Sequence, residues 1–220
     1  MAVRTRPMPR PGTRGEPEKT RAAILKAALH EFSSEGVAGA RTDEIARAAG
    51  VNKALLYYYF KDKEGLYGAV IDSVFSGLRA RVVEVLSSDA PPRQKILDYA
   101  GAHFDYVASS AEFPRVLQHE MMRSGRSKSP HLKHIAKSYF APIYVKLSEM
   151  FREGMATGEF REVDIRRFVV CMIGCILHYF HTMPFAAAMG NNDPLSAENL
   201  AAQRAAVLDF VSHAIMKEKP

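Results

Sequence analysis

The sequence predicts an all-α protein, and three observations carry that expectation. Apolar residues recur at three- and four-residue intervals along most of the chain. Helix signals punctuate these runs, with Asn, Asp or Thr before them and Gly or Pro after them. No stretch alternates with period two between hairpin turns, and no internal repeat is visible.

Residues 1–15, "MAVRTRPMPRPGTRG", combine Pro and Arg without periodicity and are expected to form a disordered basic tail. From Glu16 the pattern becomes helical, with Ile24, Ala27, Ala28 and Phe32 on one face and Gly36 as the stop. Thr42 is expected to cap a short second helix. Its Asp43 and Glu44 suit the positive end, Ile45, Ala46 and Ala49 form the buried stripe, and Gly50 ends it. Asn52 caps a third helix over "KALLYYYF". Asp62 caps a longer one reaching about residue 87, with Leu66, Val70, Val74, Leu78 and Val85 on or near one face. "SSDAPPR" then breaks the chain and puts Pro91 and Pro92 at the next helix start. Further helices are expected over 92–109, 113–123, 130–157, 164–187 and 197–216. Pro142 should kink or divide the 130–157 stretch.

With 220 residues, 47% of them hydrophobic, the chain can build one large core or two small ones. Its apolar runs look shorter than the ~20 residues that span a bilayer. The basic N-terminus has no apolar stretch behind it, so it does not read as a secretory signal. Two cysteines, Cys171 and Cys175, argue against a disulfide framework. A cytoplasmic protein without a membrane partner is expected. The net charge of +6 is unevenly placed: residues 1–63 hold 12 Lys/Arg against 7 Asp/Glu, the remainder 18 against 17. That bias suits a polyanion-binding end. It equally suits a solubilising tail, because Arg4, Arg6, Arg10 and Arg14 supply most of it.

Two short helices joined by "AGVN" suggest a helix-turn-helix. Gly50 can take the positive φ of a tight turn, and Val51 can plug the gap between the helices. Leu56 and Phe60, four apart, would face the core. Consecutive helical residues point about 100° apart, so Tyr57, Tyr58 and Tyr59 cannot share one role. Tyr58 lies most nearly opposite the core and should be the most exposed. It then either reaches a phosphate oxygen, beside Lys53, Lys61 and Lys63, or merely covers the core's edge.

Residues 18–67 resemble the DNA-binding domain of the tetracycline-repressor (TetR) family of bacterial regulators. The matching segments are "ILKAALHEFSSEGV" and "RTDEIARAAGVNKALLYYYFKDKEGLY", above all Tyr57, Phe60, Lys63 and Leu66. The stretch from "EFPRVLQHEMM" to "FREGMATGEFR" adds to the likeness. The resemblance implies a ligand-responsive homodimer, most often a repressor, acting on double-stranded DNA at a palindromic operator. It implies phosphate contacts from Thr42, Tyr57, Tyr58 and Lys63, and base-edge contacts from Lys53, Ala54 and Leu55. Leu55 departs from the small hydroxyl residue common there. It either packs against a thymine methyl or turns into the core. Ala54 and Tyr59 depart too, so no operator sequence carries over.

The same likeness divides the chain into the tail, a DNA-binding domain at 16–62, and a ligand-binding and dimerisation domain at 63–220 whose first helix connects the two. The last two helices would pair with their two-fold mates. Candidate ligand contacts are His103, Phe104, Phe113, Glu120, Met121, Tyr144 and His178, the polar ones because polar groups in apolar stretches need partners. A Met and aromatic stripe at helical spacing also reads as plain core. Cys171, Cys175 and His178 share a helix face, but ligands along one straight helix do not surround a tetrahedral ion. No metal, cofactor or catalytic site is expected: "HEMMR" lacks the second histidine of a zinc-protease helix, and "GRSKS" lacks P-loop spacing. Two other readings stay open, a helical small-molecule-binding protein and a non-specific DNA binder.

Overall fold

A computed structural model describes residues 16–110, 112–126, 129–190 and 193–217. The basic tail at 1–15, and parts of the expected loops at 127–128 and 191–192, lie outside the described residues. Among the described residues the secondary structure is helical, as expected, and the chain divides into two compact units, Met1–Asp72 and Ser73–Pro220.

In the first unit, α1 runs Pro17–Gly39 with its path broken at Gly36 (φ 63°, ψ 176°), a conformation that suits glycine. The second helix, α2, spans Thr42–Ala48. Thr42 does not cap it. Arg41 holds the N-cap position without a side-chain cap bond, and its backbone N–H donates to Glu31 Oε1 at 2.9 Å. Thr42 is instead the first helical residue, and its buried hydroxyl turns toward the next helix. Gly50 (φ 67°) makes the turn, and α3 follows at Lys53–Phe60. Asn52 caps it as expected, its side chain accepting from the Leu55 N–H at 2.8 Å. Asp62 likewise accepts from the Gly65 N–H at 2.7 Å at the start of α4, Lys63–Leu86. Ile24, Ala28, Phe32, Ile45, Leu56, Phe60, Leu66 and Tyr67 form the core, with Phe32 and Tyr67 edge-to-face at 5.1 Å. Each such burial is worth about 1.5–3 kcal/mol. The boundary between the units falls inside α4.

The second unit is organised around α5, Pro92–Ser109, which buries Ile96, Tyr99, His103, Phe104 and Val107. It packs against α8 (Ala141–Ala156), α9 (Ile165–Ala188) and α10 (Ala197–Ile215). Gly101 is where α10 crosses: a β-carbon there would lie 2.5 Å from Arg204 Nη2, and Arg204 pairs with Asp105 at 2.8 Å. Between α5 and α8 lie α6 (Glu112–Arg126), α7 (Pro130–Ile135) and a π-helical turn, Ala136–Phe140. The expected single helix over 130–157 is therefore divided. Pro142 cannot donate a backbone hydrogen bond, and the widened turn just before it absorbs the lost register. Among the described residues the sole strand-like pairing is one bridge between Phe160 and Met216.

One expectation about apolar runs fails. α9 has 24 residues and a mean hydropathy of 1.6 over its most apolar stretch, enough by length and composition to cross a membrane. His178 and His181 interrupt the letters but not the average. Val169, Met172 and Ile176 face inward, whereas Val170, Phe185 and Met189 are exposed. Gly174 has open space around it, so tight packing of α9 at that point does not occur within this chain.

Candidate DNA-binding and ligand-binding sites

On α3 the sequence's directions hold. Leu56 and Phe60 are buried, Tyr58 is 80% exposed, and Tyr57, Tyr59 and Leu55 lie between. Tyr57 is fixed from behind by a hydrogen bond between its hydroxyl and Thr42 Oγ1 (3.2 Å), which ties α3 to α2. Tyr58 and Tyr59 meet edge-to-face at 5.5 Å. Lys53 and Ala54 are exposed at the start of α3, and Lys53 Nζ pairs with Asp43 at 3.0 Å. The hydrogen bond to Asp43 also raises the lysine pKa, so the ammonium stays charged at any physiological pH. Lys63 Nζ donates to the Ala38 carbonyl at 3.3 Å, and the Arg21 guanidinium stacks 5.3 Å over the Phe60 ring. Thr42, Lys53, Tyr57 and Lys63 are thus each held by a partner, while Tyr58 projects freely.

The seven ligand candidates are not brought together in one pocket. His103 is buried, 3.3 Å from the Tyr99 hydroxyl on its own helix, and burial lowers its pKa to about 4. The same burial pushes the Tyr99 phenol up. Glu120 is buried and accepts a hydrogen bond from Ser129 Oγ. Phe104 packs on Phe180 at 5.3 Å, and Phe113 sits between Phe75 (5.3 Å) and Tyr106 (5.7 Å). Met121, Tyr144 and His178 are exposed.

A cavity of about 320 Å³ opens instead between the end of α5, the start of α6 and the later turns of α9. Val107, Phe180, Met183, Pro184 and Leu195 line it, with Arg115 and Gln118 as its polar members beside His181. None of the seven candidates is in this lining, although Phe104 and Phe113 each adjoin a lining residue. A second cavity, of about 410 Å³, lies between the loop at 161–164, α9 and α10.

A sequence model described as the tetR family of bacterial regulatory proteins matches residues 24–70. Another, described as a tetracyclin-repressor-like C-terminal domain, matches residues 92–211. The chain belongs to the TetR family. It is similar to the transcriptional repressor NicS of Pseudomonas putida, at 27% identity over 75% of this chain and 77% of that one. It is 35% identical to the repressor SCO4008 of Streptomyces coelicolor over 53% of this chain and 57% of the relative. Among solved structures, the regulator SCO4942 of S. coelicolor aligns with a TM-score of 0.66 at 27% identity, covering 88% of this chain and 97% of that one. The Bacillus subtilis regulator FadR, solved with stearoyl-CoA, shares the fold at 22% identity and a TM-score of 0.66, over 87% and 97%. The TetR-family chain is accordingly a DNA-binding transcriptional regulator, and these relatives are regulators rather than enzymes. The two other readings are not favoured.

Sequence reasoning missed two features of this TetR-family regulator. Asp43 was read as a helix-end charge, yet it also pairs with Lys53 ten residues away. Arg115 and Gln118 sat unremarked in "EFPRVLQHEMM", where their three-residue spacing puts them on one helix face.

Proposed function

We propose that this regulator is a homodimeric repressor whose α3 helices read successive major grooves, about 34–36 Å apart, of an inverted-repeat operator. The carrying observation is the outward face of α3, where exposed Lys53, Ala54 and Tyr58 stand on a helix anchored by the Tyr57–Thr42 bond. Lys53 would exchange Asp43 for a guanine edge, a cheap exchange because exposed ion pairs contribute little. Thr42, Tyr57, Tyr58 and Lys63 take phosphates on either side, and Leu55 meets a thymine methyl. The uncovered apolar residues of α9, with Phe210 on α10, support pairing of these two helices with their mates in the cytoplasm. A small molecule bound in the second unit favours a dimer with wrongly spaced recognition helices, and α4, which runs from one unit into the other, carries the change. Selection of bound duplexes from a random library tests this reading. Enrichment of an inverted repeat, released by part of a metabolite pool, is expected; a specificity ratio near unity would refute it.

A further inference from the structure

We infer that the ligand sensed by this regulator is a small amphipathic carboxylate, lodged in the cavity between α5, α6 and α9 with its anion on Arg115. The inference rests on the ligand-release reading above and adds the site and the chemical class. The lining is mostly apolar, from Val107, Phe180, Met183, Pro184 and Leu195, and so suits a hydrocarbon or aromatic body. Among the described residues it contains one charged side chain, Arg115, and no Asp or Glu. Arg115 and Gln118, one turn apart on the same face of α6, are both exposed and have no hydrogen-bond or ion-pair partner among the described residues. Exposed at the edge of an apolar cavity, these two donors can exchange water for a ligand's acceptor, and the planar fork of an arginine matches a carboxylate's two oxygens. His181 turns one ring nitrogen away from the cavity's anion position. Its Nε2 faces the Pro114 carbonyl at 3.4 Å, and since a carbonyl only accepts, that nitrogen carries the hydrogen.

The second cavity makes the contrast. Its two arginines are already engaged, Arg161 with the Ala214 carbonyl at 2.5 Å and Arg167 with Asp164 at 3.4 Å, and Glu162 and Asp164 balance them. Size narrows the class further. About 320 Å³ lies near the lower end of the roughly 300–1,000 Å³ typical of small-ligand sites, which excludes a coenzyme-A thioester from being swallowed whole. An aromatic acid and a medium-chain fatty acid share the required chemistry.

Calorimetric titration of the full-length protein with benzoate and octanoate, beside benzamide and octanamide, separates these sources from each other and from a charge-blind pocket. At least one acid should bind, with its amide at least ten-fold weaker. Arg115→Met should bring the acid down to its amide's affinity while leaving the amide and the thermal unfolding unchanged, and Arg115→Lys should recover part of the loss. Equal binding of acid and amide, no binding of either acid, or an Arg115→Met protein with undiminished acid affinity would each overturn the inference. Release of operator DNA is read separately. A metabolite pool that frees DNA equally well from the Arg115→Met protein sinks the carboxylate assignment and leaves the regulator reading intact. An acid that binds through Arg115 without freeing DNA keeps the carboxylate site and overturns its role in ligand release.

Discussion

The two units treat their polar groups in opposite ways. In the first, three of the side chains proposed to meet DNA are already engaged: Lys53 with Asp43, Thr42 with Tyr57, Lys63 with the Ala38 carbonyl. At the cavity of the second, exposed Arg115 and Gln118 engage no other described residue. The difference fits two kinds of partner. A duplex presents phosphates at fixed spacing, so holding Tyr57 and Lys63 in place beforehand would lower the entropy lost on docking, while Lys53 would trade Asp43 for a base. A small molecule brings its own acceptor and needs an open donor.

The comparison can be broken most severely at Phe60, the buried ring under Arg21. Phe60→Ala should cost about 3–5 kcal/mol. Thermal unfolding followed in both units should show the first melting early, with DNA binding lost and acid binding kept. The second unit has its own sensitivity, through His103, whose burial lowers its pKa to about 4. The unfolded chain takes up the proton near pH 6.5 while the folded chain refuses it, so this stability is complete above pH 6.5 and drains away toward pH 4. Each pH unit in that window removes about 1.4 kcal/mol, roughly 3 in all. Denaturant titrations of wild type and His103→Leu across that range should differ in slope; parallel curves would show that His103 is not the group responsible.

Smaller effects sharpen the contrast. Tyr106 on α5 donates to the Val74 carbonyl of α4 at 2.5 Å and lies over Gly77, where a β-carbon would meet its hydroxyl at 2.6 Å. Tyr106→Phe should cost about 1 kcal/mol of stability while weakening ligand-driven DNA release more than it weakens either binding step, as linked titrations can resolve. Tyr57→Phe should cost a similar amount, but in DNA affinity and without change in acid binding. Lys63→Ala should leave stability within about 0.5 kcal/mol and reduce the salt dependence of DNA binding by about one counterion per half-site.

The fold was legible because its signals are local. Asn52 and Asp62 bond backbone N–H groups three residues away, and Leu56 and Phe60 are one turn apart. The second helix shows the limit: Thr42 has the chemistry of a cap, yet Glu31, ten residues before Arg41, takes the N-cap amide, and the threonine hydroxyl goes to Tyr57. The outward face of α3 could be read because direction follows from helical period alone. The cavity could not, since Val107, Arg115, Phe180 and Leu195 are spread over three helices and a loop. Polarity within an apolar stretch pointed to His103 and Glu120, and both found partners inside the fold. The signal behind the proposed carboxylate site is of another kind, an arginine and a glutamine at the edge of an apolar cavity, which only three-dimensional structure reveals.

The central claim is that α3 reads bases while its anchored neighbours hold the backbone. Repeating the random-library selection with Lys53→Ala tests it most directly. The account predicts the same inverted-repeat spacing, with base preference relaxed at one or two positions in each half-site. A uniform loss of affinity with every base preference unchanged would contradict it.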